Sequence, residues 1–299
     1  MRLGEIKGSL KIDMVETTRG CPEDCLQCGF FDGFNREQRI VRSLDPDTIQ
    51  RLLLQQDTES GVRLSNLLNT FVTTQVGTEP LRATNFADFV TLAHTLSEGK
   101  SRVVALTHGV WADYKEMEQR LENIAGLMQR KIVPLIVVTV DQARRKGRVS
   151  HQRNMESYVR TFQILRPALG YGRVTASIQG KADPASPLYI ENAKRLFNEV
   201  IERLQWPADE LNRLVIDIRD SYVDTGRAHL IALSSRRRAP EPFFCDVIPD
   251  KQFVAENLPQ THQWRGMIRF DGRLVVQENR PGKTYNDSVD PTRWQEVDL

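Results

Sequence analysis

Two hydrophobic rhythms alternate along most of this chain. Lys11 to Thr17 switches between apolar and polar residues, the period of two expected of a strand. Asp45-Pro-Asp-Thr48 offers a capping residue with an early proline and predicts a helix from Thr48 to Gln56. Asn69 to Val76 is rich in β-branched residues and predicts a second strand. Thr84 to Ser97 carries Phe86, Phe89, Val90, Ala93 and Leu96 at helical spacing. Arg102 to Thr107 reads as a third strand, and a long helix capped by Asp113 runs on to Gln129. Pro134 to Val140 is a nearly all-apolar fourth strand, as expected where both faces are covered. A basic loop, Arg144 to Arg148, leads to a helix from Asn154 to Leu165. Arg173 to Ile178 is a fifth strand, Pro187 to Leu204 a helix, and Leu214 to Ile218 a sixth strand.

Six strands alternating with helices predict an α/β fold with a parallel sheet and right-handed crossovers. Closure into a full barrel needs eight such units, so the expectation is a (β/α)6 partial TIM barrel. After Tyr222 the alternation stops. Arg237 to Pro259 is Pro-rich and irregular, and Met267 to Gln277 contains a hairpin-like turn at Asp271-Gly272. The expected organisation is a barrel core over 1–222 and a C-terminal, substrate-binding appendage over 223–299.

Composition narrows the picture without changing it. The 299 residues are 40% hydrophobic and 27% charged, enough for a sizeable core. No apolar run approaches the length of a membrane span, and Met1 to Leu10 lacks a secretory apolar region. The expectation is a soluble cytoplasmic protein without a membrane partner. A formal charge of +2 predicts no nucleic-acid partner, and Arg236-Arg-Arg238 reads as a solvated loop.

Candidate chemistry begins at Cys21, Cys25 and Cys28, a C-x3-C-x2-C pattern directly after the first strand. Thiols this close together do not staple a fold, and they suit ligands converging on one metal centre. A structural zinc site completed by Cys245 or a histidine is the plainer alternative. In parallel β/α architectures function gathers at the C-terminal strand ends. Those ends carry Gly77-Thr-Glu-Pro80, Thr107-His-Gly109, Thr139-Val-Asp141, Ser177-Ile-Gln179, and Asp217 with Asp220. The period of two puts Thr139 and Asp141 on one face. Taken singly, Glu79 is a carboxylate after a strand, Thr139 and Asp141 are helix-cap chemistry, and Asp217 and Asp220 are loop residues. His94 reads as a packed or surface histidine, whereas His108 stands at a strand end.

With these residues in place the sequence resembles the radical SAM enzymes over roughly residues 10 to 222. That family carries a C-x3-C-x2-C loop after the first strand of a (β/α)6 partial barrel. The resemblance implies that Cys21, Cys25 and Cys28 hold a [4Fe–4S] cluster whose fourth iron is chelated by S-adenosylmethionine. It also implies that one-electron reduction, from a donor such as flavodoxin or ferredoxin, yields a 5′-deoxyadenosyl radical that abstracts hydrogen. Gly77, Thr78, Glu79 and Pro80 match the family's Gly-Gly-Glu-Pro segment, which binds the methionine amino group. Thr139 and Asp141 stand where the family contacts the ribose, Ser177 is grouped with them, and Arg144 or Arg153 suits the methionine carboxylate. The sequence departs from the family at Gln27, where an aromatic residue is usual, and at Thr78, where glycine is usual.

Beyond the first loop only Cys245 remains, and one cysteine cannot anchor an auxiliary cluster. A redox-neutral reaction is therefore favoured, and the Cys245 thiol is a candidate hydrogen-atom donor; its plain reading is a buried small hydrophobe. Within the family the pattern is most like that of aminoglycoside (neomycin C) epimerase, which implies inversion of a stereocentre on an aminosugar in antibiotic biosynthesis. A polycationic substrate needs carboxylates, and Asp217, Asp220, Asp224, Glu241 and Asp246 are candidates. A tailoring enzyme that forms C–C or C–S bonds on a peptide or other natural product is the alternative.

Overall fold

Elements form where the two rhythms predict them. The structure is a computed structural model that describes residues 2–19, 42–57, 61–73, 79–109, 115–141, 151–180, 184–185, 189–219, 262–269, 271–278 and 294–298. Cys21, Cys25, Cys28, Gly77, Thr78, Arg144, Asp220, Asp224, Glu241, Cys245 and Asp246 lie outside the described residues, as does Arg236 to Arg238. The chain opens with α1 (Leu3–Ile6), β1 (Leu10–Val15) and a short antiparallel pair, β2 (Thr18–Arg19) with β3 (Arg42–Ser43). Then come α2 (Pro46–Leu54), β4 (Leu68–Thr73), α3 (Phe86–Leu96), β5 (Arg102–Thr107), α4 (Lys115–Gln129) and β6 (Leu135–Val140). They are followed by α5 (His151–Leu165), β7 (Arg173–Gln179), α6 (Ile190–Leu204), α7 (Ala208–Leu211) and β8 (Leu214–Arg219). Last are β9 (Trp264–Ile268), β10 (Leu274–Glu278) and β11 (Gln295–Glu296). Helix α2 starts two residues before the predicted Thr48. Pro46 needs no N–H partner in the first turn, and the Asp45 carboxylate accepts the Thr48 N–H at 2.9 Å.

One sheet holds nine strands in the order β11-β10-β9-β1-β4-β5-β6-β7-β8. From β1 through β8 the neighbours are parallel and follow chain order. Each crossover thus steps the same way, and right-handed crossovers that all step one way put every helix on one face. The core reflects this. Ile136, Val138, Val140, Val174, Ala176 and Ile178 share a single cluster with the buried faces of α2 to α6. Phe162 of α5 meets Phe197 of α6 edge to face, ring centroids 6.0 Å apart. The alternate strand residues Phe71, Val104, Leu106, Leu135 and Val137 form a separate cluster on the opposite, inner face. This is the singly wound β/α arrangement expected of a partial barrel.

The C-terminal hairpin forms at its predicted turn, where Gly272 takes φ +82°, a backbone conformation glycine adopts without steric cost. It does not stand apart as an appendage. Strand β9 runs parallel to β1 and β10 antiparallel to β9, so the hairpin lengthens the core sheet at the β1 edge. Arg265 of β9 donates to the Asp13 carboxylate at 2.6 Å, joining residues 252 apart in sequence. Burial pushes the Asp13 carboxyl above the ordinary carboxylate range, against the pull of the Arg265 guanidinium. Met14 of β1, Met267 of β9 and Val275 of β10 form a small apolar cluster across the same three strands. Among the described residues no helix is long and apolar enough to cross a membrane.

Candidate functional site at the strand ends

The inner face changes character along the strands. Its lower layer is the apolar cluster of Phe71, Val104, Leu106, Leu135 and Val137. Towards the C-terminal ends the same alternating positions turn polar. Thr139 of β6, Ser177 of β7 and Asp217 of β8 are register partners and form one row across three strands. Register partners in a parallel sheet share a face, so the two hydroxyls and the carboxylate project together. Ser177 is buried, while Thr139 and Asp217 are half-buried. Asp141 follows β6 two residues beyond Thr139, and only 1% of its surface is exposed.

Glu79 follows β4 in the chain and stands next to Pro80 at the start of a single tight turn, Pro80–Arg82. The Glu79 side chain is 1% exposed. Its Oε1 accepts the Leu81 N–H at 3.4 Å, and its Oε2 accepts the His108 N–H at 2.8 Å. The His108 ring brings Nε2 to 3.2 Å from the same Oε2. The turn is gripped from behind by Arg120 of α4, which donates to the carbonyls of Leu81 at 3.1 Å and Arg82 at 2.7 Å. Partial burial, with Arg82 nearby, draws the Arg120 pKa below the usual arginine value, while Glu116 opposes the shift.

Helix α5 holds the next two strand ends from the outer side. The Tyr158 hydroxyl donates towards the carbonyls of Thr139 at 3.2 Å and Asp141 at 3.4 Å, and accepts the Asp141 N–H at 3.3 Å. One turn on, the Thr161 hydroxyl donates to the Gly109 carbonyl at 3.0 Å. Gly109 has φ +67°, and a Cβ there would sit 2.9 Å from Val138 Cγ1. A side chain would therefore be strained twice over, by backbone and by contact.

Of the residues singled out in the sequence, Glu79, Pro80, Thr139, Asp141, Ser177 and Asp217 come to the same end of the sheet. Arg153 lies on an exposed position of α5. His94 has a structural place, its Nδ1 lying 3.0 Å from the Ser101 carbonyl below α3. Sequence reasoning missed the pairing of His108 with Glu79, the grip of Arg120 and the ties from Tyr158. The His108 position was visible as a strand end, but its partner becomes evident only once β4 and β5 are neighbours. Tyr158 had a faint signal, a tyrosine on the apolar stripe of a helix.

Fold and site define a singly wound parallel β/α protein with a polar strand-end site above an apolar inner face. No protein-family model matches the sequence, and no curated protein matches it. Two solved structures match the chain at low identity. One, BtrN in complex with AdoMet and 2-DOIA, is 14% identical, with 89% of this chain and 71% of that chain covered and a TM-score of 0.37. The other, a spore photoproduct lyase with bound AdoMet and dinucleoside spore photoproduct, is 8% identical, with 83% and 74% covered and a TM-score of 0.42.

Proposed function

We propose that this chain is a radical SAM enzyme, and that its reaction is the epimerisation of a carbon stereocentre on an aminoglycoside or similar aminosugar. One observation carries the first part. The C-x3-C-x2-C pattern follows β1 in sequence, Glu79 follows β4, and β1 and β4 are parallel neighbours. The chain therefore leaves these two strands side by side, at the same end of the sheet.

The donor set suits the group this reading requires. Cys21, Cys25 and Cys28 are the thiolates that would hold a [4Fe–4S] cluster. Glu79 is a buried carboxylate that accepts the Leu81 and His108 N–H groups and lies beside the His108 ring. It suits the ammonium end of S-adenosylmethionine, with Gly77, Thr78 and Pro80 beside it. Thr139, Asp141 and Ser177 supply hydroxyl and carboxylate groups suited to a ribose, and Arg144 or Arg153 a guanidinium for the methionine carboxylate. When bound, cluster and S-adenosylmethionine supply a carbon-centred radical that removes a hydrogen atom from the substrate.

The rest of the proposal concerns this chain's own groups. Cys245 returns a hydrogen atom to the opposite face of the substrate carbon. Its thiol is then short of one electron and one proton, which a small electron-transfer protein such as flavodoxin or ferredoxin and the solvent resupply. Asp217, Asp220, Glu241 and Asp246 provide the negative charge that a polycationic sugar needs.

Anaerobic reconstitution tests the first part. Iron–sulfur absorption in the visible range is expected for the wild type and is lost in Cys21→Ala, Cys25→Ala and Cys28→Ala. Stoichiometric zinc in place of iron and sulfide would overturn it. Turnover in D2O tests the second. One deuterium is expected at the inverted carbon, and Cys245→Ala is expected to consume S-adenosylmethionine without forming the epimer. A product free of solvent deuterium sinks the thiol-donor step.

A further inference from the structure

Helix α5 buries four polar side chains, Asn154, Ser157, Tyr158 and Thr161. Three of them have clear partners. The Ser157 hydroxyl donates to the Arg153 carbonyl at 3.0 Å, Thr161 donates to Gly109, and Tyr158 ties the end of β6. Asn154 differs. Only 4% of it is exposed, and its Oδ1 has no hydrogen-bond partner among the described residues. It sits one turn before Tyr158, on the same stripe of the helix. Helix α5 is the crossover between the parallel neighbours β6 and β7, so it runs against the direction of β6. One turn towards its N-terminus is about 5.4 Å further along β6 towards the C-terminal end. Tyr158 already meets the backbone of Thr139 and Asp141, so Asn154 stands beyond them. Helical side chains lean towards the helix N-terminus, which carries the amide the same way, to the strand-end site.

An amide oxygen shut away from water without a donor costs the folded protein stability. A ligand that brings an O–H or N–H relieves that cost. The neighbouring groups on β6 narrow the choice of ligand, because a hydroxyl and a carboxylate suit a sugar. A ribose presents two adjacent hydroxyl donors. A carboxylate at the strand end and an amide oxygen from the helix can meet such a diol from two directions. We propose that Asn154 is a further binding residue, whose Oδ1 accepts a hydrogen bond from a ribose hydroxyl of S-adenosylmethionine beside Asp141. The inference rests on the function proposed above, and it adds a helix residue to a site otherwise built from strand ends.

The test is equilibrium binding of S-adenosylmethionine, and of its 2′-deoxy and 3′-deoxy analogues, to the anaerobically reconstituted, full-length protein. Asn154→Leu keeps the shape of the side chain and removes the amide. Its affinity for S-adenosylmethionine is expected to fall about 2- to 10-fold, the range for one hydrogen bond between neutral groups. Its urea midpoint is expected to stay level or rise, because an unmet buried acceptor has gone. The wild type is expected to bind one of the two analogues more weakly by a similar factor. Against that analogue Asn154→Leu is expected to lose nothing further, because the partner hydroxyl is already missing. A role in stability alone would not single out one hydroxyl. Should Asn154→Leu fail to fold, Asn154→Ala takes its place in the same comparison. Unchanged affinity for S-adenosylmethionine in the folded variant overturns the inference and leaves the proposed function standing. Equal losses for S-adenosylmethionine and both analogues overturn it as well. A reconstituted wild type that does not bind S-adenosylmethionine removes the function, and the inference with it.

Discussion

Two buried carboxylates divide the labour in this molecule. Asp13, on β1, is held by Arg265 of β9 at 2.6 Å, a cation that is always charged. Glu79, after β4, is held by backbone N–H groups and an imidazole. Both carboxylates are shielded from water, with 8% of Asp13 and 1% of Glu79 exposed. The difference lies in what surrounds them. A guanidinium neutralises Asp13 and ties the C-terminal hairpin to the first strand, so that pair belongs to the fold. Glu79 instead sits at the C-terminal strand ends, where backbone N–H groups hold it beside the polar row of the candidate site. Burial alone would not have separated the two.

The comparison breaks first if Asp13 can be removed cheaply. Asp13→Ala removes the carboxylate that pairs with the buried Arg265 guanidinium and is expected to cost about 3–5 kcal/mol in urea unfolding. Replacing both partners, Asp13→Leu with Arg265→Met, is expected to cost far less than the single change. A single change that costs under about 1 kcal/mol would remove the clamp from the account. Glu79→Gln should behave in the opposite way. Its amide oxygen can still accept the His108 N–H, so the unfolding midpoint is expected to move little while affinity for S-adenosylmethionine drops at least tenfold, about the cost of losing one charged hydrogen bond. A large loss of stability with unchanged affinity would place Glu79 with Asp13, as a structural group.

Smaller effects sharpen the contrast. Tyr158→Phe removes the hydroxyl that ties Thr139 and Asp141 and is expected to cost about 1–2 kcal/mol in thermal or urea unfolding. Asp271→Asn is the surface control. Arg273 holds the Asp271 carboxyl below its ordinary range through hydrogen bonds in the β9–β10 turn. A depressed carboxylate adds stability above its unfolded pKa and loses that contribution as pH falls through the folded value. Asp271→Asn is therefore expected to cost no more than about 1 kcal/mol near neutrality and nothing at strongly acid pH, as urea midpoints at several pH values would record.

The comparison also marks how far the sequence could be read. Strands β4 to β8 and helices α3 to α6 were legible because each carries a helical spacing or a run of apolar and β-branched residues over six or more positions, whereas the four-residue α7 was not. Thr139 and Asp141 were legible as a same-face pair for the same reason. Strand β9 was not placed. Its partner β1 lies some 250 residues away in the chain, and parallel pairing at that distance leaves no local pattern. Asp13 accordingly looked like one polar position in an alternating strand, with nothing to mark a buried cation as its partner. His108 was legible as a residue at a strand end, but its hold on Glu79 depends on two strands meeting. The single-turn α1 and the β2–β3 pair are too short to impose a period.

The central claim is that the end of this sheet binds S-adenosylmethionine beside a cluster held by Cys21, Cys25 and Cys28. Its most direct test is the amount of 5′-deoxyadenosine formed when the reconstituted protein is reduced in the presence of S-adenosylmethionine. The account predicts deoxyadenosine from the wild type and none from Cys25→Ala. A wild type that carries a full iron–sulfur complement and yet yields no deoxyadenosine would contradict it.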